Sequence, residues 1–302
     1  MAQFFSLDNS SEATRTFQPW VLSSESLPHE TKFFRNDNST KYMASKKTTS
    51  NDTPKPAQIN LGEVVNNYLK ALQRVFDVMN YTLASERLLN EQEYENFSRG
   101  NRVMPSQESR LDYEGARAET NTWLLKQTLN EALGVLVLFL DDCRTLGTLS
   151  SWKSKGGEGK DLQKKLQEDR VTFARMDLPT KLKHLEDEFE LSSPSNEHIL
   201  SLFRARRVLA NNSSIVREED LEDGKFTVKL RSVQLKTNPG NQENPGVFVT
   251  SEMGDMVREF KAGDKLQLNK QEHLATILTV ALFVTSQAQS LKEYAQKLGV
   301  AK

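Results

Sequence analysis

The stretch Asn196–Val216, NEHILSLFRARRVLANNSSIV, decides how this chain is read. Ile199, Leu202, Leu209 and Ala210 recur at three- and four-residue steps with Phe203 beside them, the period of an amphipathic helix. Arg206 falls inside that stripe, four residues after Leu202 and three before Leu209. A guanidinium cannot neutralise itself by losing a proton, so burying one calls for a carboxylate, a phosphate or a partner surface. The plainer alternative is that Arg206 snorkels along the stripe to water or pairs with a core acid, for which Asp141, Asp142 and Glu131 are the candidates.

Working outward, the flanking segments predict helices. Leu61, Val64, Val65, Tyr68, Leu69, Leu72, Val75, Phe76, Met79 and Leu83 keep a helical period to about Asn90. The Gly- and Pro-bearing stretch at 99–106 ends it. A second long helix is expected over roughly 109–149, with Trp123, Leu124, Leu129, Leu133, Leu136, Leu140 and Leu146 on its period and a centre apolar nearly all round. A helix apolar on every side is surrounded by other helices. KSKGGEG (153–159) reads as a turn, and the charged segment 160–189 as helix divided at Pro179. Ser195 or Asn196 is the expected N-cap of the Arg206 helix. From Gly224 the pattern switches to alternation, Phe226, Val228, Leu230, Val233 and Leu235, with a second extended piece at 247–250 and a Pro/Gly/Asn-rich link at 237–246. After the KAGD turn (261–264) a last helix is expected over about 270–298. The fold class that follows is mainly α, an antiparallel helical bundle with a small β-hairpin insertion before the last helix.

Residues 1–57 differ in kind. They are rich in Ser, Thr, Asn and Lys and close on NDTPKPA, the composition of a polar arm or tail, with the bundle over 58–302. Seven aromatics (Phe4, Phe5, Phe17, Trp20, Phe33, Phe34, Tyr42) leave two readings, a mobile tail or an arm docking on its own body or on a protein partner.

Composition excludes more than it assigns. The 40 basic and 41 acidic residues give a net charge of −1, so no global field draws the chain to nucleic acid and any such contact needs a local patch. One cysteine, Cys143, excludes an internal disulfide framework and a multi-Cys metal cluster, and reads as a small core residue. The four histidines have no metal-ligand spacing, and there is no Gly-rich phosphate loop or nucleophile elbow, so neither metal nor cofactor is expected. The longest apolar run, ALGVLVLFL (132–140), is about half of what a bilayer requires. With no apolar leader in residues 1–30, a soluble cytoplasmic protein is the expectation.

The order of elements resembles the HEPN superfamily, helical-bundle proteins of bacterial toxin–antitoxin and phage-defence systems. The charged helix, HILSLFRARRVLANNSSIVREED, the extended excursion and KAGDKLQLNKQEHL before a closing apolar helix carry the likeness, over about 125–300. That family has an arginine, four intervening residues and a histidine, followed by Asn and a small-residue turn. Here the arginine matches Arg206, Asn211 stands at the histidine position, and Asn212 with Ser213–Ser214 fits the turn. The resemblance implies a homodimer whose motif helices share a cationic cleft, with RNA as ligand and metal-independent endoribonuclease chemistry. Arg206 and Asn211 would be the catalytic pair, with Arg204, Arg207, Asn212 and Arg217 binding substrate.

Asparagine, however, cannot exchange a proton near neutral pH, and acid–base catalysis is worth about 10²–10⁴-fold. Weak or lost cleavage is therefore expected unless His198 or His184 reaches the site, or the Asn replaces a natural His. The alternative is a non-catalytic helical scaffold or protein-interaction module. The acidic run Glu218–Asp223, following the arginines at once, is expected to be a solvated face that dilutes their field.

Overall fold

A computed structural model of the chain describes residues 21–24, 57–99, 111–156, 159–211, 213–239 and 247–301. Two short strands, β1 (Val21–Ser24) and β2 (Ala57–Asn60), pair antiparallel with Val21 opposite Asn60. The rest of the N-terminal arm lies outside the described residues. Seven helices and a second strand pair follow: α1 (Leu61–Ser85), α2 (Glu91–Arg99), α3 (Tyr113–Ser154), α4 (Gly159–Ala174), α5 (Leu178–Phe189), α6 (Asn196–Asn211), β3 (Phe226–Pro239), β4 (Val247–Phe260) and α7 (Lys270–Lys297). The protein is thus mainly α, with an antiparallel hairpin inserted before the last helix.

Local signals set the helix ends. Asn60, Asp112, Asp177 and Asn269 each accept a backbone N–H three residues on, capping α1, α3, α5 and α7. In α7 the cap is reciprocal, because Glu272 accepts the Asn269 N–H in return. Pro179 sits in the first turn of α5, where a missing N–H is harmless, so it begins that helix and separates it from α4. α1 stops at Ser85, short of Asn90, and Asn90 instead caps α2 through the Glu93 N–H. α2 has no buried residue and is held by Tyr94 and Tyr113, whose rings lie 6.0 Å apart. With no apolar stripe, that helix leaves no periodic signal.

The core forms where α1, α3, α6 and α7 meet. Tyr68 donates to Asp142 at 2.7 Å and Arg117 donates to Glu86 at 2.9 Å, so α1 runs antiparallel to α3. α6 runs antiparallel to α7: Ser193 at its entrance meets Ser286, and Ser214 past its end bonds the Leu266 N–H just before α7. Leu125, Leu129, Leu136, Phe139, Leu140 and Cys143 of α3 are fully buried. Burial raises the Cys143 thiol pKa well above its ordinary value, consistent with a core residue. α7 is the one helix among the described residues long and apolar enough to cross a membrane, and over half of that stretch is buried within the bundle.

The hairpin is longer than the alternation indicates, with fourteen residues in each strand. Phe226, Val228, Leu230 and Phe260 join the core. The outer edge of β3 meets hydroxyls: Ser201 of α6 accepts the Lys229 N–H at 2.9 Å and Thr279 of α7 accepts the Arg231 N–H at 2.8 Å. These side chains replace a neighbouring strand and block that edge from further pairing.

Candidate functional site

α6 presents Phe203, Arg206 and Ala210 along one stripe at its boundary with α3. The Arg206 Nε donates to Oδ1 of Asn130 at 2.7 Å, and the side chain is partly exposed. No carboxylate holds it among the described residues. Asp141 pairs with Lys181 at 2.8 Å and Asp142 accepts from Tyr68, while Glu131 is exposed. Both Asp residues are committed to the core, so the acid partner expected for Arg206 is corrected to a neutral amide. Burial raises the Asp142 carboxyl pKa and also raises that of Tyr68, which keeps its phenol protonated as donor.

Asn211 is the last residue of α6 and is exposed. Five residues of regular helix place it roughly 140° around the axis and about 7.5 Å along it from Arg206. The two side chains therefore leave the helix on different faces. Asn212 lies outside the described residues. Beyond it, Ser213 and Ser214 both have positive φ, 50° and 68°, an unfavourable conformation for residues with a Cβ. This left-handed turn is held by the KAGD turn: the Val216 N–H bonds Asp264 O and the Gly263 N–H bonds Val216 O.

Neither histidine compensates for Asn211. His198 lies eight residues before Arg206 on the same helix, about 12 Å along the axis, and its Nε2 is 3.1 Å from Asp255 Oδ1. His184 is packed between the rings of Phe173 and Phe189, at 5.5 and 6.4 Å. Among the described residues nothing places an imidazole beside Arg206.

The remaining arginines are each matched to an acid. Arg204 bonds Glu222, Arg207 lies 3.7 Å from Asp220, and Arg217 lies 3.4 Å from Glu219. The acidic run is thus the electrostatic partner of the arginines as well as a solvated face. Exposed pairs are weak, about 0–1 kcal/mol, and a phosphate could displace them. Asp220 differs, because it is buried and accepts the Arg217 N–H at 3.1 Å to close the turn at Glu218–Asp220. Its charge stays beside Arg207 whatever the ligand. Arg206 is the one arginine of the four with no acid beside it among the described residues.

The α3 surface next to Arg206 is open. Trp123 is 58% exposed and Leu138 48% exposed, and a Cβ added at Gly134 would meet nothing within 4 Å. Trp123 thus faces out, although its place in the apolar period suggested the core; Leu124 and Leu125 occupy the buried side. Compared with protein-family models, curated proteins and solved structures, the chain matches none of them.

Proposed function

We propose that the chain is a HEPN-like helical protein without nuclease chemistry, acting as an interaction module in a bacterial defence or toxin–antitoxin system. The observation that supports this reading is the pairing of Arg204, Arg207 and Arg217 with Glu222, Asp220 and Glu219. A phosphate-binding cleft needs cations free to replace counterions; Arg207 stays beside the buried Asp220 carboxylate, and Arg204 and Arg217 reach a phosphate only by giving up their own acids. Proton transfer lacks a group as well, since Asn211 points away and His198 and His184 are engaged elsewhere. The open α3 face around Gly134 suits self-association as a homodimer, in which the Trp123 and Leu138 surfaces would be covered.

A second reading, RNA binding without cleavage, is favoured by Arg206 itself. Its guanidinium keeps a full positive charge against a neutral amide and remains partly accessible. RNA binding and cleavage assays on the wild type, Asn211→His and Arg206→Ala separate the readings. The interaction reading expects no cleavage from any of them and RNA binding unchanged by Arg206→Ala. Salt-sensitive binding lost in Arg206→Ala would favour the second reading. Cleavage gained by Asn211→His and abolished by adding Arg206→Ala would overturn the first reading and restore a latent active site.

A further inference from the structure

Fourteen residues along α3 from Asn130, about 21 Å, the molecule has a cleft of about 680 Å³ that plays no part in the Arg206 region. It lies where the C-terminal ends of α3, α5 and α7 converge with α4. Its volume falls within the roughly 300–1,000 Å³ typical of small-molecule sites.

One wall is a stripe of α3. Arg144, Thr148, Ser151, Trp152 and Lys155 follow at three- and four-residue steps, so every side chain of the stripe carries a hydrogen-bond donor. The Arg144 side chain is 3% exposed, and its Nη2 lies 2.8 Å from Asp169 Oδ2 without the alignment of a hydrogen bond. The Trp152 indole N–H is shielded and meets no acceptor among the described residues. Buried donors are nearly always matched in folded proteins, so this one points to something that completes it.

The facing wall is aromatic. Phe173, His184, Phe189 and Tyr294 run ring to ring at centroid distances of 5.5, 6.4 and 5.8 Å. Around them four basic side chains, Arg144, Lys155, Lys165 and Lys297, stand against three carboxylates, Asp169, Glu188 and Glu190. Asp169 is matched to Arg144 and Glu190 to Lys297, leaving Lys155 and Lys165 at the rim against Glu188.

We infer that this cleft binds a small molecule consisting of a flat aromatic ring that carries one anionic group. The ring lies against His184 and Tyr294, the part-exposed members of that wall. The anion takes the Trp152 N–H and the rim ammoniums, with the Arg144–Asp169 pair beneath it. Inorganic phosphate lacks the stacking surface, and a neutral aromatic lacks the group the donors address.

Calorimetric titration of the full chain with adenosine monophosphate, indole-3-acetate, adenosine and inorganic phosphate tests the assignment. Saturable binding of either aromatic anion is expected, at least tenfold tighter than adenosine or phosphate. Binding of only adenosine monophosphate identifies a nucleotide source, and of only indole-3-acetate an aromatic acid, each supporting the inference. Trp152→Phe, which keeps a ring and removes the donor, is expected to weaken binding about tenfold. The exposed double variant Lys155→Glu/Lys165→Glu, its fold checked by circular dichroism, is expected to lose it. Arg206→Ala is expected to leave it intact, which separates this site from the α6 region. The inference is overturned if neither aromatic anion binds, if phosphate or adenosine binds as tightly, if the Trp152 and lysine variants bind like the wild type, or if Arg206→Ala removes binding.

Discussion

Near the middle of α3, Asn130 holds Arg206 through a neutral amide, and Gly134 one turn later faces open space. One turn past Asp141, Arg144 is sealed against Asp169, and Gly147 lies under the ring of Phe189, where an added Cβ would come within 2.8 Å. The same helix therefore meets a cation beside a glycine in two settings: Arg206 of α6 at the open one, and its own Arg144 at the enclosed one. The cation that needs an acid is Arg144, in the enclosed setting, and it has one. Arg206 keeps access to water and manages with an amide. Burial, more than position on an apolar stripe, decides which arginine must be neutralised.

The most direct way to break this comparison is to remove the acid. The Arg144 side chain is 3% exposed and Asp169 37%, so the two halves of the pair are unequal. Asp169→Ala leaves a guanidinium buried and unable to lose its proton, and is expected to destabilise the fold by about 3 kcal/mol. Arg144→Met leaves a carboxylate that can turn to water and keeps most of the packing, so a loss of about 1 kcal/mol is expected. Asn130→Ala at the open end loses one hydrogen bond, also about 1 kcal/mol. Urea unfolding of the three variants measures this order. Equal losses for Asp169→Ala and Asn130→Ala would erase the distinction.

α7 provides a neutral counterpart to Arg144, a buried base that can discharge itself. His273 is almost wholly buried, and although the Leu268 backbone lies close enough to the ring to favour its proton, burial outweighs that contact and holds its pKa down at about 4. In the unfolded chain it titrates near its ordinary value of about 6.5. Between those values the unfolded state binds more protons, so this contribution to stability is present above about pH 6.5 and is lost as pH falls through about 4. The slope is about 1.4 kcal/mol per pH unit within that window, approaching 3 kcal/mol at its acid end. Urea midpoints from pH 7 to pH 4 should fall more steeply for the wild type than for His273→Leu. Parallel curves would mean the imidazole is not held neutral by the fold.

The two glycines sharpen the comparison further. Gly147→Ala drives a methyl into the Phe189 ring, itself buried, and is expected to cost about 1–3 kcal/mol by overpacking. The ring would have to move toward the cleft, so the same variant should weaken binding of an aromatic anion there. Thermal unfolding with a parallel titration reads both effects, and an unchanged melting temperature would mean that Phe189 is free to yield.

Much of this organisation was legible in the residues, and the exceptions share a cause. α6, the start of α5 at Pro179, the hairpin and the closing helix follow from apolar period, caps and alternation. α2 was not, because its one wholly apolar side chain, Phe97, is exposed and sets no stripe in a helix held by two tyrosines. The second strand of the hairpin gave a signal only at 247–250, because residues 251–259, SEMGDMVRE, pair along β3 without any apolar alternation. At the candidate site Arg206 stood out as a charge within a stripe, yet Asn130, a neutral residue 76 positions away, gave no signal as its partner. The Arg204, Arg207 and Arg217 pairings were hidden differently, since acids close in sequence read as a solvated face until the turn at Asp220 folds them back. Arg144 does carry a signal: LDDCRTLGTLSSW (140–152) places it, Thr148 and Trp152 on one helical stripe, a polar line at the end of the most apolar run in the chain.

The smallest effect is the one at Gly134. A glycine within a long helix is disfavoured by about 1 kcal/mol relative to alanine, and among the described residues no close contact requires it. If water covers that face, Gly134→Ala should stabilise the protein by up to about 1 kcal/mol and change nothing else. If a second copy covers it, the missing Cβ is what lets two α3 helices approach, and alanine should weaken the dimer while stabilising each subunit. The homodimer proposed above expects the second pattern. Sedimentation across a dilution series should then show Gly134→Ala dissociating at higher concentration than the wild type. Trp123→Ala, on the same exposed face, should dissociate at higher concentration too, but without the gain in subunit stability, because it removes contact area and relieves no helix penalty. A stabilised Gly134→Ala variant with unchanged mass would leave Trp123 and Leu138 as solvated side chains and move the dimer contact to another face.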